Sequence, residues 1–83
     1  MNDDIAGKVR AIIAETFNVA SSDITDDTVA DDVDGWDSLA HTVLMVRLQK
    51  KLRVAIPEHV AANVQTVGEL IEALRRLSAA GAA

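Results

Sequence analysis

Apolar residues return at helical spacing near the start of the chain: Ile5, Val9, Ile12, Ile13 and Phe17 stand at i, i+4, i+7, i+8 and i+12. The spacing predicts an amphipathic helix headed by Asp3 or Asp4, which suit the capping of free N–H groups, and ended at Asn18. The pattern lapses from Ala20 to Trp36, where Ser21, Ser22, Asp26, Asp27, Asp34 and Gly35 are turn formers. Ile24, Val29 and Val33 recur within that stretch, so a long loop pinned to the core by short apolar anchors is expected. Loops of this length without structure of their own are uncommon and tend to carry function.

A second helix is expected from Ser38 to Leu52 or Arg53. Pro57 halts any continuation and suits the first position of a short third helix through Ala62. Thr66, followed three residues on by Glu69, reads as a capping box that opens a fourth helix. That helix carries Val67, Leu70, Ile71, Leu74 and Leu77 on one face. Ser78 to Ala83 reads as a flexible tail of small residues. The expected fold is all-α and without strands: a small bundle of three main helices plus one short helix, one domain over residues 1–83 with its core at 3–77.

The second helix is apolar on two sides. At 100° per residue, Leu44, Met45, Leu48 and Leu52 share one side. Leu39, Val43 and Val46 fall nearly opposite, flanked by Arg47 and Lys50. One side must pack on the other helices. The other is either covered by the acidic loop or exposed as a docking surface.

Composition narrows the classes. The chain has 83 residues, 49% of them apolar, with one Phe and one Trp, so one small domain with an aliphatic core is expected. The absence of cysteine excludes a disulfide framework, a zinc–thiolate cluster and a thiol nucleophile. No run of eighteen apolar residues occurs, which excludes a helical membrane span, and Met1-Asn2-Asp3-Asp4 argues against a signal peptide. A monomeric cytoplasmic protein is the expectation. A net charge of −5 opposes nucleic acid as a partner, although Arg47, Lys50, Lys51 and Arg53 make a basic island.

The junction Asp37-Ser38-Leu39 holds the candidate chemistry. Seven aspartates and no base lie between Asp23 and Asp37, and no acid lies between Ser38 and Leu52. A serine there heads a helix at the edge of an exposed loop, beside Gly35 and Trp36. Its hydroxyl is accessible, and the free N–H groups and positive dipole end of the helix favour a phosphate ester. Asp and Ser are also both common N-caps, so the tripeptide by itself marks no more than a helix start. Other chemistries fare worse. An EF-hand loop aligned on Gly35 puts Ala30 and His41 at essential ligand positions. His41 and His59 lie on different predicted helices with no nucleophile–base arrangement, so no enzyme is indicated. His41 falls on the inward side of its helix near the Ser38 end, where a packing role and a place at a cargo-cavity mouth are both open.

The order of landmarks resembles the acyl carrier proteins from about Ile5 to Leu77. Phe17-Asn18-Val19 closes the first helix, Asp31 to Gly35 precedes Asp37-Ser38-Leu39, and Ala55-Ile56-Pro57 and Val64-Gln65-Thr66-Val67 follow. The resemblance implies that Ser38 receives 4′-phosphopantetheine from coenzyme A through a magnesium-dependent phosphopantetheinyl transferase. It implies an arm whose thiol carries acyl groups as thioesters for fatty-acid, lipid or polyketide-type synthesis, and no catalysis by the carrier. Asp37 matches an acidic residue that helps the transferase engage. Leu39 matches the residue that inserts into partners, and Val43 and Val46 match partner-facing positions. The implied partners are the transferase, an acyl- or aminoacyl-loading ligase and downstream synthesis enzymes. A core with a single Phe is expected to deform cheaply around a cargo chain, with Leu44, Met45, Leu48 and Ile71 lining the space.

Three departures from the family pattern point to a specialised carrier. Arg47, Lys50 and Lys51 stand in a helix that is usually acidic, with Val43 in place of a usual acid. The third helix, Glu58 to Ala62, has lost most of its family acidity. Trp36 replaces a smaller or aliphatic residue, with packing against the loop as its plain role. An aminoacyl or peptidyl carrier shares the fold and the serine chemistry and is the alternative. An unmodified helical interaction module is more distant.

Overall fold

A computed structural model describes residues 5–81 of the chain, with side chains as far as Ser78. The cap expected at Asp3 or Asp4 lies outside the described residues. Four α-helices follow in order: α1 (Ile5–Phe17), α2 (Ser38–Leu52), α3 (Glu58–Asn63) and α4 (Val67–Gly81). The described residues contain no strand, in keeping with the all-α expectation.

The apolar stripes converge as their spacing predicts. Val9, Ile12 and Ile13 of α1 meet Leu44, Met45 and Leu48 of α2 and Val67, Leu70, Ile71 and Leu74 of α4 in one buried cluster. Ile24 and Val33 are buried in the same cluster, so the segment between α1 and α2 is pinned where two of its three apolar anchors predict. Val29, the third anchor, is half-buried.

That segment has more structure than its turn-forming residues suggest. It makes two 3-10 turns, Ser21–Asp23 and Ala30–Asp32, each closed by local backbone bonds. Val29 also pairs with Thr66 in an isolated antiparallel bridge. Next to it, the carbonyls of Thr28 and Asp26 accept the N–H groups of Val67 and Gly68, both at 2.9 Å. These are two of the donors that a helix leaves unpaired at its N-terminus. The loop therefore caps α4.

The capping box at Thr66 is only half formed. Glu69 N–H donates to Thr66 Oγ1 at 3.1 Å, as expected. The Glu69 carboxylate, however, accepts from Gln65 N–H at 2.7 Å, one residue before the reciprocal partner. Two further boundaries differ from the sequence reading. Pro57 is the N-cap of α3 and not its first helical residue; its extended ψ of 148° places the helix start at Glu58. Its carbonyl accepts from Val60 and Ala61. The small-residue tail is helical as far as Gly81, consistent with the high helix propensity of alanine at positions 79 and 80.

Left-handed residues end α1 and α2. Asn18 and Arg53 both have φ of 57°, and Val19 and Val54 N–H groups reach back to Ala14 O and Gln49 O. Gln49 then holds the turn that follows, its Oε1 accepting from Ile56 N–H at 2.9 Å.

Candidate functional site

Asp37 and Ser38 occupy the junction between loop and α2. Gly35 turns the chain with φ of 88°, a left-handed conformation that suits glycine. Asp37 is the N-cap: its Oδ1 accepts from Ala40 N–H at 2.9 Å, and its carbonyl from His41 N–H at 2.8 Å. Ser38 is therefore the first residue of the helix. It is exposed, and its hydroxyl makes no hydrogen bond among the described residues. Its N–H and that of Leu39 are likewise without a partner there, which leaves two donors at the positive end of a fifteen-residue helix. A phosphate ester on Ser38 Oγ fits this donor set.

From Ser38 the outer face of α2 is apolar. Leu39 is 75% exposed and Val43 and Val46 are each 44% exposed. They are the exposed large hydrophobic residues of the described chain, and they fall on one stripe. The acidic loop does not cover it. A groove of about 510 Å³ runs beside the stripe, with Phe17, Leu39 and Val43 on its apolar side and Asp34, Asp37 and Arg47 at its polar edge. Arg47 reaches Glu15 only at 4.0 Å between exposed atoms, a contact of little energetic weight. Lys50 is exposed and makes no ion pair among the described residues.

The opposite face of α2 is core. Leu44 and Leu48 are fully buried, and Met45 and Ile71 nearly so. A second cavity, of about 400 Å³, opens next to Ser38 on the side toward α4 and the segment that leads into it from α3. Trp36, Ser38, His41, Val64, Thr66 and Leu70 are among its lining residues. Leu44, Met45, Leu48 and Ile71 lie deeper and do not line it.

One constellation escaped the sequence reading. Trp36 does pack, with its ring stacked on Phe17 at a centroid distance of 5.1 Å and an interplanar angle of 18°. It also donates Nε1–H to Nδ1 of His41 at 3.0 Å. His41 Nε2 lies 2.9 Å from the carbonyl oxygen of Ala61 on α3. The inward placement of His41 was visible on a helical wheel. Its link to Trp36 crosses a non-helical turn, which no periodicity reports.

Comparison with known families gives a match over most of the chain. Residues 7–74, well over half of the chain, match the family model described as phosphopantetheine attachment site. The matched span contains the whole of α2 and α3, the long loop and both cavities.

Proposed function

The chain belongs to the phosphopantetheine-attachment family of carrier proteins, which are not catalysts, and on that premise we propose that Ser38 is its attachment serine. Membership brings a covalent 4′-phosphopantetheine and a phosphopantetheinyl transferase as partner. The arm, once attached, supplies a thiol that holds cargo as a thioester. The observation that carries the proposal is the exposed and unengaged Ser38 hydroxyl at the first residue of α2, directly before the exposed Leu39.

The cargo on this reading is an acyl group for fatty-acid, lipid or polyketide-type synthesis, handled in the cytoplasm. Leu39, Val43 and Val46 form the face that meets partner enzymes, with Asp37 beside the serine engaged by the transferase. Arg47 and Lys50 mark a carrier specialised for dedicated partners. Leu44, Met45, Leu48 and Ile71 would line a cargo space only if α2 and α4 part. Support for that comes from the cavity beside Ser38, whose lining includes Leu70 of the same buried cluster.

The test is intact mass. Incubation with coenzyme A, magnesium and a broad-specificity transferase should add one phosphopantetheine to the wild type and none to Ser38→Ala. Addition to Ser21, Ser22 or Ser78 in the variant would refute the assignment.

A further inference from the structure

Ser38 is bracketed by a hydrogen bond between side chains. Trp36, two residues before it, donates to His41, three residues after it. An indole N–H can only donate and a backbone carbonyl can only accept. His41 therefore makes both of its bonds only as the neutral imidazole with its proton on Nε2. Through the Phe17 stack and the Ala61 carbonyl, the same two side chains reach from the end of α1 to α3.

We propose that Trp36 and His41 are positioning residues that hold the first turn of α2 so that Ser38 Oγ is presented for arm transfer. The inference rests on the reading of Ser38 as the attachment serine. In that transfer the Ser38 oxygen attacks the pantetheine-side phosphorus of coenzyme A. The new P–O bond forms as the bond to the bridging pyrophosphate oxygen breaks. Adenosine 3′,5′-bisphosphate leaves, and the hydroxyl proton passes to a base of the transferase. Neither Trp36 nor His41 touches the reacting atoms. Their part is mechanical.

The need for such a clamp follows from where Ser38 sits. A first helical residue has no intrahelical bond through its own N–H, and its turn frays readily. Here the N–H groups of Ala40 and His41 close the turn by donating to the Asp37 carboxylate and the Asp37 carbonyl, and the Trp36–His41 bond closes it a second time from outside. Misplacing a nucleophile by about 1 Å can cost about a hundredfold in rate. The indole and imidazole also form part of the wall of the cavity beside Ser38, which lines the same cavity.

His41 has two bonds, and two substitutions separate them. His41→Asn keeps an acceptor near the Nδ1 position for the indole but is too short to reach Ala61. His41→Gln keeps a donor near the Nε2 position for Ala61 but loses the acceptor for Trp36. Trp36→Phe keeps a ring on Phe17 and deletes the N–H. Each variant removes about one hydrogen bond, so a purely structural role would affect the two His41 variants alike.

The full chain is assayed with coenzyme A and a broad-specificity transferase, each variant well below its own melting temperature by circular dichroism. The expected result is a loss of about tenfold in kcat for Trp36→Phe and His41→Gln, with KM within about twofold of wild type. His41→Asn should stay within about twofold of wild type in both constants. Equal kcat in all four proteins overturns the proposal, as does an equal loss in His41→Asn and His41→Gln, or a loss confined to KM. A wild type that accepts no arm overturns the reading of Ser38 and the clamp with it. A wild type that accepts the arm, with variants as fast, overturns the clamp alone.

Discussion

At Asp37 a carboxylate serves the backbone while the neighbouring hydroxyl is left free. Oδ1 accepts from Ala40 N–H at 2.9 Å, the geometry of an N-cap in extended conformation. Asp37→Ala should cost about 1 kcal/mol of folding stability, and Asp37→Asn only a few tenths, because an amide oxygen caps nearly as well. Urea unfolding checks this, through a shift in midpoint at unchanged slope. An Ala variant as stable as wild type would mean that the cap is not made in solution. Ser38 differs in that its side chain makes no bond among the described residues. Ser38→Ala should therefore leave stability within about 0.5 kcal/mol, as for other exposed substitutions. Loss of arm addition in that variant is then a loss of the nucleophile and not of the fold.

Among the elements, α4 depends on a loop forty residues earlier in the chain. Its first N–H donors go to Thr28 O, Asp26 O and Thr66 Oγ1. Gly68 permits this approach: a Cβ built there would lie 3.0 Å from the Asp26 carbonyl oxygen and 3.2 Å from Asp26 Cβ. Helix propensity alone would favour alanine at position 68 by about 1 kcal/mol. The backbone contact opposes it, since moving the loop away stretches the 2.9 Å bond from Gly68 N–H to Asp26 O. Contact should win. Gly68→Ala is expected to destabilise by about 1–2 kcal/mol in thermal or urea unfolding. A variant at least as stable as wild type would show that the loop gives way freely. The short α3 contrasts with α4, because none of its residues is buried. It leans on Val60, Ala61 and the His41 bond to the Ala61 carbonyl.

Across the whole molecule, charge is sorted by position. The loop before Ser38 is acidic, and Arg47, Lys50, Lys51 and Arg53 crowd the far end of α2, on a chain of net charge −5. Between them lies the exposed Leu39, Val43 and Val46 stripe. A dedicated partner should therefore offer an apolar pocket with acidic groups opposite Arg47 and Lys50. Rim charges act mainly on association rate and are screened by salt. Reversing Arg47 and Lys50 to Glu should slow association with such a partner by about tenfold at low ionic strength. The difference should vanish near 1 M salt, where the screening length is about 3 Å. Stopped-flow association against ionic strength measures it. Equal rates at low salt would reduce the basic island to a solvated face.

The helices were legible in the sequence because their causes are local. Spacing placed α1, α2 and α4, Asp37 marked the start of α2, and the change from acid-rich loop to apolar helix singled out Ser38. Burial of Leu44, Met45 and Leu48, with Leu39 left outside, also followed the wheel. What remained depended on contacts between distant segments. Whether the loop covers the outer stripe of α2 is decided by Val33 and Ile24, which turn inward and leave the stripe bare. The capping of α4 by Asp26 and Thr28, and the diversion of Glu69 to Gln65, arise where the loop meets α4. The Trp36–His41–Ala61 chain needs α1, the loop, α2 and α3 in place at once, since each hydrogen bond tolerates only a few tenths of an ångström. Periodicity records which side of a helix is apolar; only the folded packing decides which donor meets which acceptor across it.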